Sequence, residues 1–109
     1  MLNNVILVGR LVGEPEVKTL ESGLSVSTIV LAVSRSYKGA DGEIGTDFIK
    51  CSLWEGVATA ASTYCKKGSI IGIKGRLTTR EIPITLENGE TINYTALEVI
   101  GDRVSFIKT

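Results

Sequence analysis

Through two stretches of this chain apolar residues recur at every second position, a period that specifies a strand and excludes an amphipathic helix. In TDFIKCSLW, residues 46–54, Ile49, Cys51 and Leu53 fall on one side, and Phe48, Lys50, Ser52 and Trp54 on the other. In IIGIKGRLTTR, residues 70–80, Ile71, Ile73 and Leu77 share a side opposed by Lys74, Arg76, Thr78 and Arg80. A one-residue slip of the first stretch would bury Lys50 and expose the aliphatic set, so the register is specified. The aliphatic side belongs in a core, which leaves rings and cations facing water. Such a surface suits single-stranded nucleic acid, whose bases stack on rings and whose phosphates meet cations.

A chain of 109 residues is long enough to bury a core without disulfides or metal, and residues 1–109 are expected to form a single domain. Twelve Lys and Arg balance twelve Asp and Glu. Taken alone, that balance argues against a nucleic-acid binder. Charges segregated onto one face still act locally, because salt screens interactions beyond about 8–10 Å. Cys51 and Cys65 read as two reduced thiols, since they form no bridging framework and no His is present to join them at a metal. Without His, an activated Ser or Cys, or a phosphate-binding loop, neither catalysis nor a cofactor is expected. The opening MLNNVILVGR lacks the basic start of a signal peptide, and no segment reaches membrane-spanning length, so an intracellular location is expected.

Strands are predicted over residues 4–12, 25–35, 46–54, 69–81 and 93–99, with a possible extended piece at 16–20 and a short closing piece at 104–107. Residues 37–45 read as a Gly-rich hairpin loop, and Asn88-Gly89 as the tip of a second hairpin. One helix is predicted over 56–67, where Val57, Ala58, Ala60, Ala61, Tyr64 and Cys65 recur at helical spacing and Lys66 and Lys67 complement its carboxyl end. Five long strands, one helix between the third and fourth, and bends at Gly9, Gly72 and Gly75 match the all-β Greek-key barrel called the OB-fold.

The stretches NNVILVGRLVGEPEV, STIVLAVSRSY, TDFIKCSLW, YCKKGS and GRLTTR together make the whole chain resemble the bacterial single-stranded DNA-binding protein family. The resemblance implies DNA-stacking aromatics at Tyr37, Phe48 and Trp54, and backbone-contacting cations among Arg10, Arg35, Lys50, Lys74, Arg76 and Arg80. It also implies a homotetramer that coats single-stranded DNA in replication, recombination and repair, in a bacterial cytoplasm or, if phage-encoded, in that of the host. Where the family usually carries a further aromatic, this chain has Ile82 followed by Pro83. The chain stops at FIKT without the family's usual acidic tip, so partners recruited by such a tip are not expected.

From the residues alone, three like charges on one strand (Lys74, Arg76, Arg80) should repel unless an anion sits among them. Tyr64 is expected to pack the helix, and Tyr94 and Phe106 to be structural. Val8 and Val12 lie opposite Leu7 and Leu11, so both sides of the first strand are apolar, as a subunit contact would require. Two rival readings stay open. One is a different OB module, such as a primosomal accessory protein or a binder of RNA or oligosaccharide. The other is an interaction domain whose exposed rings meet a protein.

Overall fold

The computed structural model describes residues 1–108. Its elements are β1 (Val5–Leu11), β2 (Lys18–Thr19), β3 (Ser25–Lys38), β4 (Ile44–Trp54), α1 (Glu55–Tyr64), β5 (Ile70–Thr85) and β6 (Thr91–Lys108). The sheet order is β1-β5-β6-β4-β3-β2, and β1 pairs with β3 as well. That extra pairing closes the five long strands into a barrel, the predicted OB-fold. All the barrel pairings are antiparallel except β4–β6, which is parallel over Cys51–Leu53 against Val99–Gly101.

Alternation decides what fills the barrel. Leu11, Ile29, Leu31, Cys51, Leu53, Ile71, Ile73 and Val99 point inward and are buried. Each fully buried Leu or Ile contributes roughly 1.5–3 kcal/mol relative to exposure. Ala58, Ala61 and Cys65 bring α1 and its end onto the same core, and the helix packs against β3, β4 and β6. Small side chains on that helical face allow the close approach.

Where β5 crosses β6 the backbones nearly touch. A Cβ placed on Gly75 would overlap the Ile100 carbonyl, and one on Gly101 would lie 2.5 Å from Leu53 Cδ2. Beside this crossing the β5–β6 register shifts, from Lys74↔Arg103 to Gly75↔Gly101, so Asp102 is an extra residue in β6. The predicted bend at Gly75 is therefore a paired feature, with a bulge on the partner strand.

Several expectations need correction. The helix ends at Tyr64 rather than at 67, and no basic residue lies in its last turn. Lys66 and Lys67 belong to the following turn, where their backbone N–H groups donate to Ser69 Oγ and Glu14 Oε1. The closing piece at 104–107 is the far end of β6, continuous with the strand that begins at Thr91. Leu77, expected in the core with Ile71 and Ile73, is 41% exposed. Leu77 pairs with Val99 and lies on an open cleft at the edge of the barrel rather than in its closed interior.

Both hairpins run longer than their sequences suggested. Strand pairing in the first reaches Lys38↔Ile44, and its tip is closed by Gly39 N–H donating to the Glu43 carbonyl. In the second, pairing reaches Thr85↔Thr91, and Leu86 N–H donates to the Glu90 carbonyl at 2.7 Å. Two ribbons therefore project from the barrel, one from β3–β4 and one from β5–β6.

Candidate nucleic-acid interface

Phe48, Lys50 and Trp54 lie on the outer face of β4, as the alternation requires. Phe48 is 67% exposed and Trp54 37%, whereas Cys51 and Leu53 are buried. Across the sheet Phe48 faces Ala32 of β3, and Ala32 faces Arg10 of β1. This row sets a cation two strands from the ring, with only a methyl group between. Lys50 faces Val30 and Trp54 faces Val26, so the flanking strand is low and leaves the rings accessible.

Trp54 is also the residue from which the chain turns into α1. Its backbone is extended (φ −120°, ψ 144°), and Glu55 follows in the left-handed region at φ 53°. A non-glycine residue there costs on the order of 1–3 kcal/mol. The Glu55 carboxylate accepts the Ser25 N–H at 2.8 Å, which holds the turn and fixes the strand end that carries the indole.

Ser52 departs from the pattern. It shares the side of Lys50 and Trp54, yet it is buried, and its hydroxyl donates to the Glu98 carboxylate of β6. Here β6 runs directly alongside β4 and covers the position. The ring-bearing face is thus divided by Glu98, which also lies 3.6 Å from Arg80 Nε.

The predicted cations separate into distinct situations. Arg76 Nη1 lies 2.6 Å from Asp102 Oδ1, and Arg35 Nη2 lies 2.7 Å from Asp47 Oδ1. The hydrogen bond from Arg35 holds the Asp47 carboxyl below its ordinary range, although the pair is in water. Arg35 lies on the opposite side of the β3–β4 ribbon from Phe48, since Asp47 faces Val33 while Phe48 faces Ala32. Arg10 donates to the Gly68 carbonyl at 2.8 Å. Lys50 and Lys74 take part in none of the ion pairs among the described residues.

Like-charge repulsion along β5 is therefore relieved within the molecule, because Arg76 and Arg80 meet Asp102 and Glu98. The expected need for an outside anion does not follow from that strand. Lys74 stands apart from the β4 rings: its neighbours in register are Ile6 on β1 and Arg103 on β6. Arg103 falls in the gap between the strand expected over 93–99 and the closing piece expected over 104–107, a gap that β6 spans without interruption.

Tyr37 is exposed near the end of the β3–β4 ribbon. With Arg35, Gly39, Ala40, Asp41, Glu43 and Gly45 it lines a shallow hollow of about 440 Å³. Tyr94, expected to be structural, is 57% exposed on the outer face of β6. Tyr64 and Phe106 pack against one another at the surface, ring centroids 5.5 Å apart and tilted by 55°. Both thiols are buried, and burial pushes the Cys51 thiol up to about 11.

No described helix is long and apolar enough to cross a membrane, and no group of acidic or Cys side chains among the described residues could hold a metal ion. Residues 2–107 match the Single-strand binding protein family. The chain is 42% identical over 107 residues to single-stranded DNA-binding protein B of Bacillus subtilis (strain 168), covering 98% of this chain and 91% of that protein. It is 43% identical over 108 residues to single-stranded DNA-binding protein 1 of Staphylococcus aureus (strain COL), and 38% identical over 109 residues to the single-stranded DNA-binding protein of Oceanobacillus iheyensis. It spans 62% and 65% of those two longer relatives. These relatives are named for binding and not for any reaction. With the match running through every strand of the closed barrel and its outward rings, the chain belongs to the Single-strand binding protein family.

Proposed function

We propose that this protein binds and coats single-stranded DNA with little sequence preference, serving replication, recombination and repair in the cytoplasm. The observation that carries the reading is the outward placement of Phe48, Lys50 and Trp54 on one strand, opposite a buried aliphatic set. Phe48, Trp54 and Tyr37 stack on bases, and Lys50, Arg10 and Arg80 follow the phosphates. Stacking tolerates any base because every base has a π-face. The relatives' names support the choice of ligand. Two buried, unpaired thiols fit a reducing compartment.

We further propose that the protein acts as a homotetramer. Two apolar regions support this. Ile6 and Val8 stand exposed on the outer side of β1. A cleft of about 550 Å³, lined by Val5, Leu7, Ile49, Leu77, Leu97 and Val99, also takes in Phe48, Lys50 and Glu98 at the edge of the ring-bearing face. Apolar surface of this kind on a small domain marks a contact.

Trp54 is the only tryptophan, so its emission reports on the proposed platform. Titration with oligo-dT, oligo-U and duplex DNA at two salt concentrations tests the reading. Strong quenching by oligo-dT, weakened by salt, is expected. Equal quenching by oligo-U would indicate an RNA module, and unchanged emission throughout would indicate a protein interface.

A further inference from the structure

We propose that Glu98 of β6 is a specificity-determining residue: it accepts a hydrogen bond from the exocyclic amino group of a base beside the β4 rings, and so favours cytosine over thymine there. This rests on the function proposed above. A carboxylate is an unexpected neighbour for rings and cations that meet a polyanion, and its surroundings show how it is held. One oxygen, Oε1, accepts the hydroxyl of Ser52, which is itself buried. The other, Oε2, lies 3.6 Å from Arg80 Nε, too far for a hydrogen bond, and accepts none among the described residues. The Glu98 side chain is 21% exposed, so the anchored carboxylate can still be reached from solvent. It lines the same cleft as Phe48 and Lys50.

Charge decides which part of a DNA strand can meet that free oxygen. Strand β6 runs between β4 and β5, so Glu98 has Lys50 on one side and Arg80 on the other. A phosphate is repelled by the carboxylate and drawn to those flanking cations. What remains between them is a base edge, and an ionised carboxylate can only accept from it. Cytosine, adenine and guanine each offer an exocyclic amino group, and a Glu carboxylate pairs well with cytosine N4. Thymine has no amino group, and its one ring N–H sits between two carbonyl oxygens that repel the carboxylate. Because Ser52 occupies Oε1, the contact is one charge-assisted bond rather than a bidentate pair. The bias is therefore modest, and stacking remains the main source of affinity.

The test is competition against labelled oligo-dT, read by anisotropy. The competitors are oligo-dT, oligo-dC and an oligomer of pyrimidinone, the cytosine analogue that lacks the amino group. Wild type is compared with a double variant, Glu98→Leu with Ser52→Ala, which removes the carboxylate without leaving the serine hydroxyl buried and unpaired. Melting temperatures check folding, and the wild-type comparison stands even if the variant fails to fold. We expect loss of the amino group to weaken wild-type binding about three-fold or more, and to have no effect in the variant. The variant should also lose affinity for oligo-dC relative to oligo-dT by a similar factor. Equal wild-type affinity for oligo-dC and the pyrimidinone oligomer would overturn the proposal. So would a difference that persists in the variant. A variant that gains equally for all three oligomers would make the carboxylate a repeller of phosphates alone, and also overturn it. Failure of the wild type to bind any oligomer would sink the parent reading, a distinct result.

Discussion

Arg76 reaches Asp102 at 2.6 Å because Asp102 is the extra residue that a bulge inserts into β6, directly beside the Gly75 crossing. A constraint of barrel closure has thereby set an acid against a cation on the surface. The pair is about half exposed on both sides, so it adds only about 0–1 kcal/mol to stability. If Arg76 lies on the proposed DNA path, its larger effect is on ligand binding, since a phosphate must compete with the carboxylate. Asp102→Asn should leave the melting temperature nearly unchanged and tighten oligo-dT binding a few-fold. The slope of log K against log salt should steepen by about 0.7, the value of one further neutralised phosphate on a single strand. An unchanged slope would place Arg76 off the DNA path.

Trp54→Ala and Phe48→Ala should each weaken oligo-dT binding by roughly ten-fold or more, since a stacked base is worth about 1–3 kcal/mol. Phe48 is the more exposed of the two, and Trp54 stands at the helix junction, so truncating Phe48 should cost less stability. Intrinsic tyrosine emission or anisotropy of labelled DNA replaces the tryptophan signal in the first variant. Affinity equal to wild type in both would remove β4 as the platform.

Gly75→Ala should destabilise the fold by at least about 3 kcal/mol, near the upper end for overpacking. The atoms that its Cβ would strike are backbone atoms of Ile100 and Gly101, which cannot rotate away. Gly56→Ala, where a Cβ meets nothing within 4 Å, is the control and should be nearly neutral. Urea unfolding midpoints compare the two. Equal midpoints would mean that β5 and β6 can separate at the crossing without loss.

Burial raises the Cys51 thiol from about 9 to about 11, so the fold favours the protonated form. Its contribution to stability is complete below pH 9 and is lost as pH rises from 9 toward 11. Thermal melts should fall across that window and flatten again above it, and Cys51→Ala should abolish that part of the fall. Native protein at pH 8 should also resist iodoacetamide at Cys51 until denatured. Rapid labelling of the native thiol would show that this part of the core opens readily.

Alternation made the inner and outer sides of β4 and the first half of β5 readable from the residues, because a period-two pattern permits one register when a core must be filled. Phe48, Lys50, Trp54, Cys51 and Leu53 all follow it. Leu77 does not, because periodicity says which way a residue points and not whether the barrel still continues there. Tyr94, expected to be structural, is exposed for a related reason: it lies on a ribbon extending past the core.

By itself, then, the order of residues determined the strand register, the aliphatic core and the outward rings, all consequences of local geometry and of the cost of burying Lys50. The tertiary structure decided which cations are available. Arg76 meets Asp102, Arg35 meets Asp47 and Arg80 approaches Glu98 only after β5, β6, β3 and β4 have paired. Those contacts join residues 12 to 26 positions apart, across distances that composition and spacing do not encode.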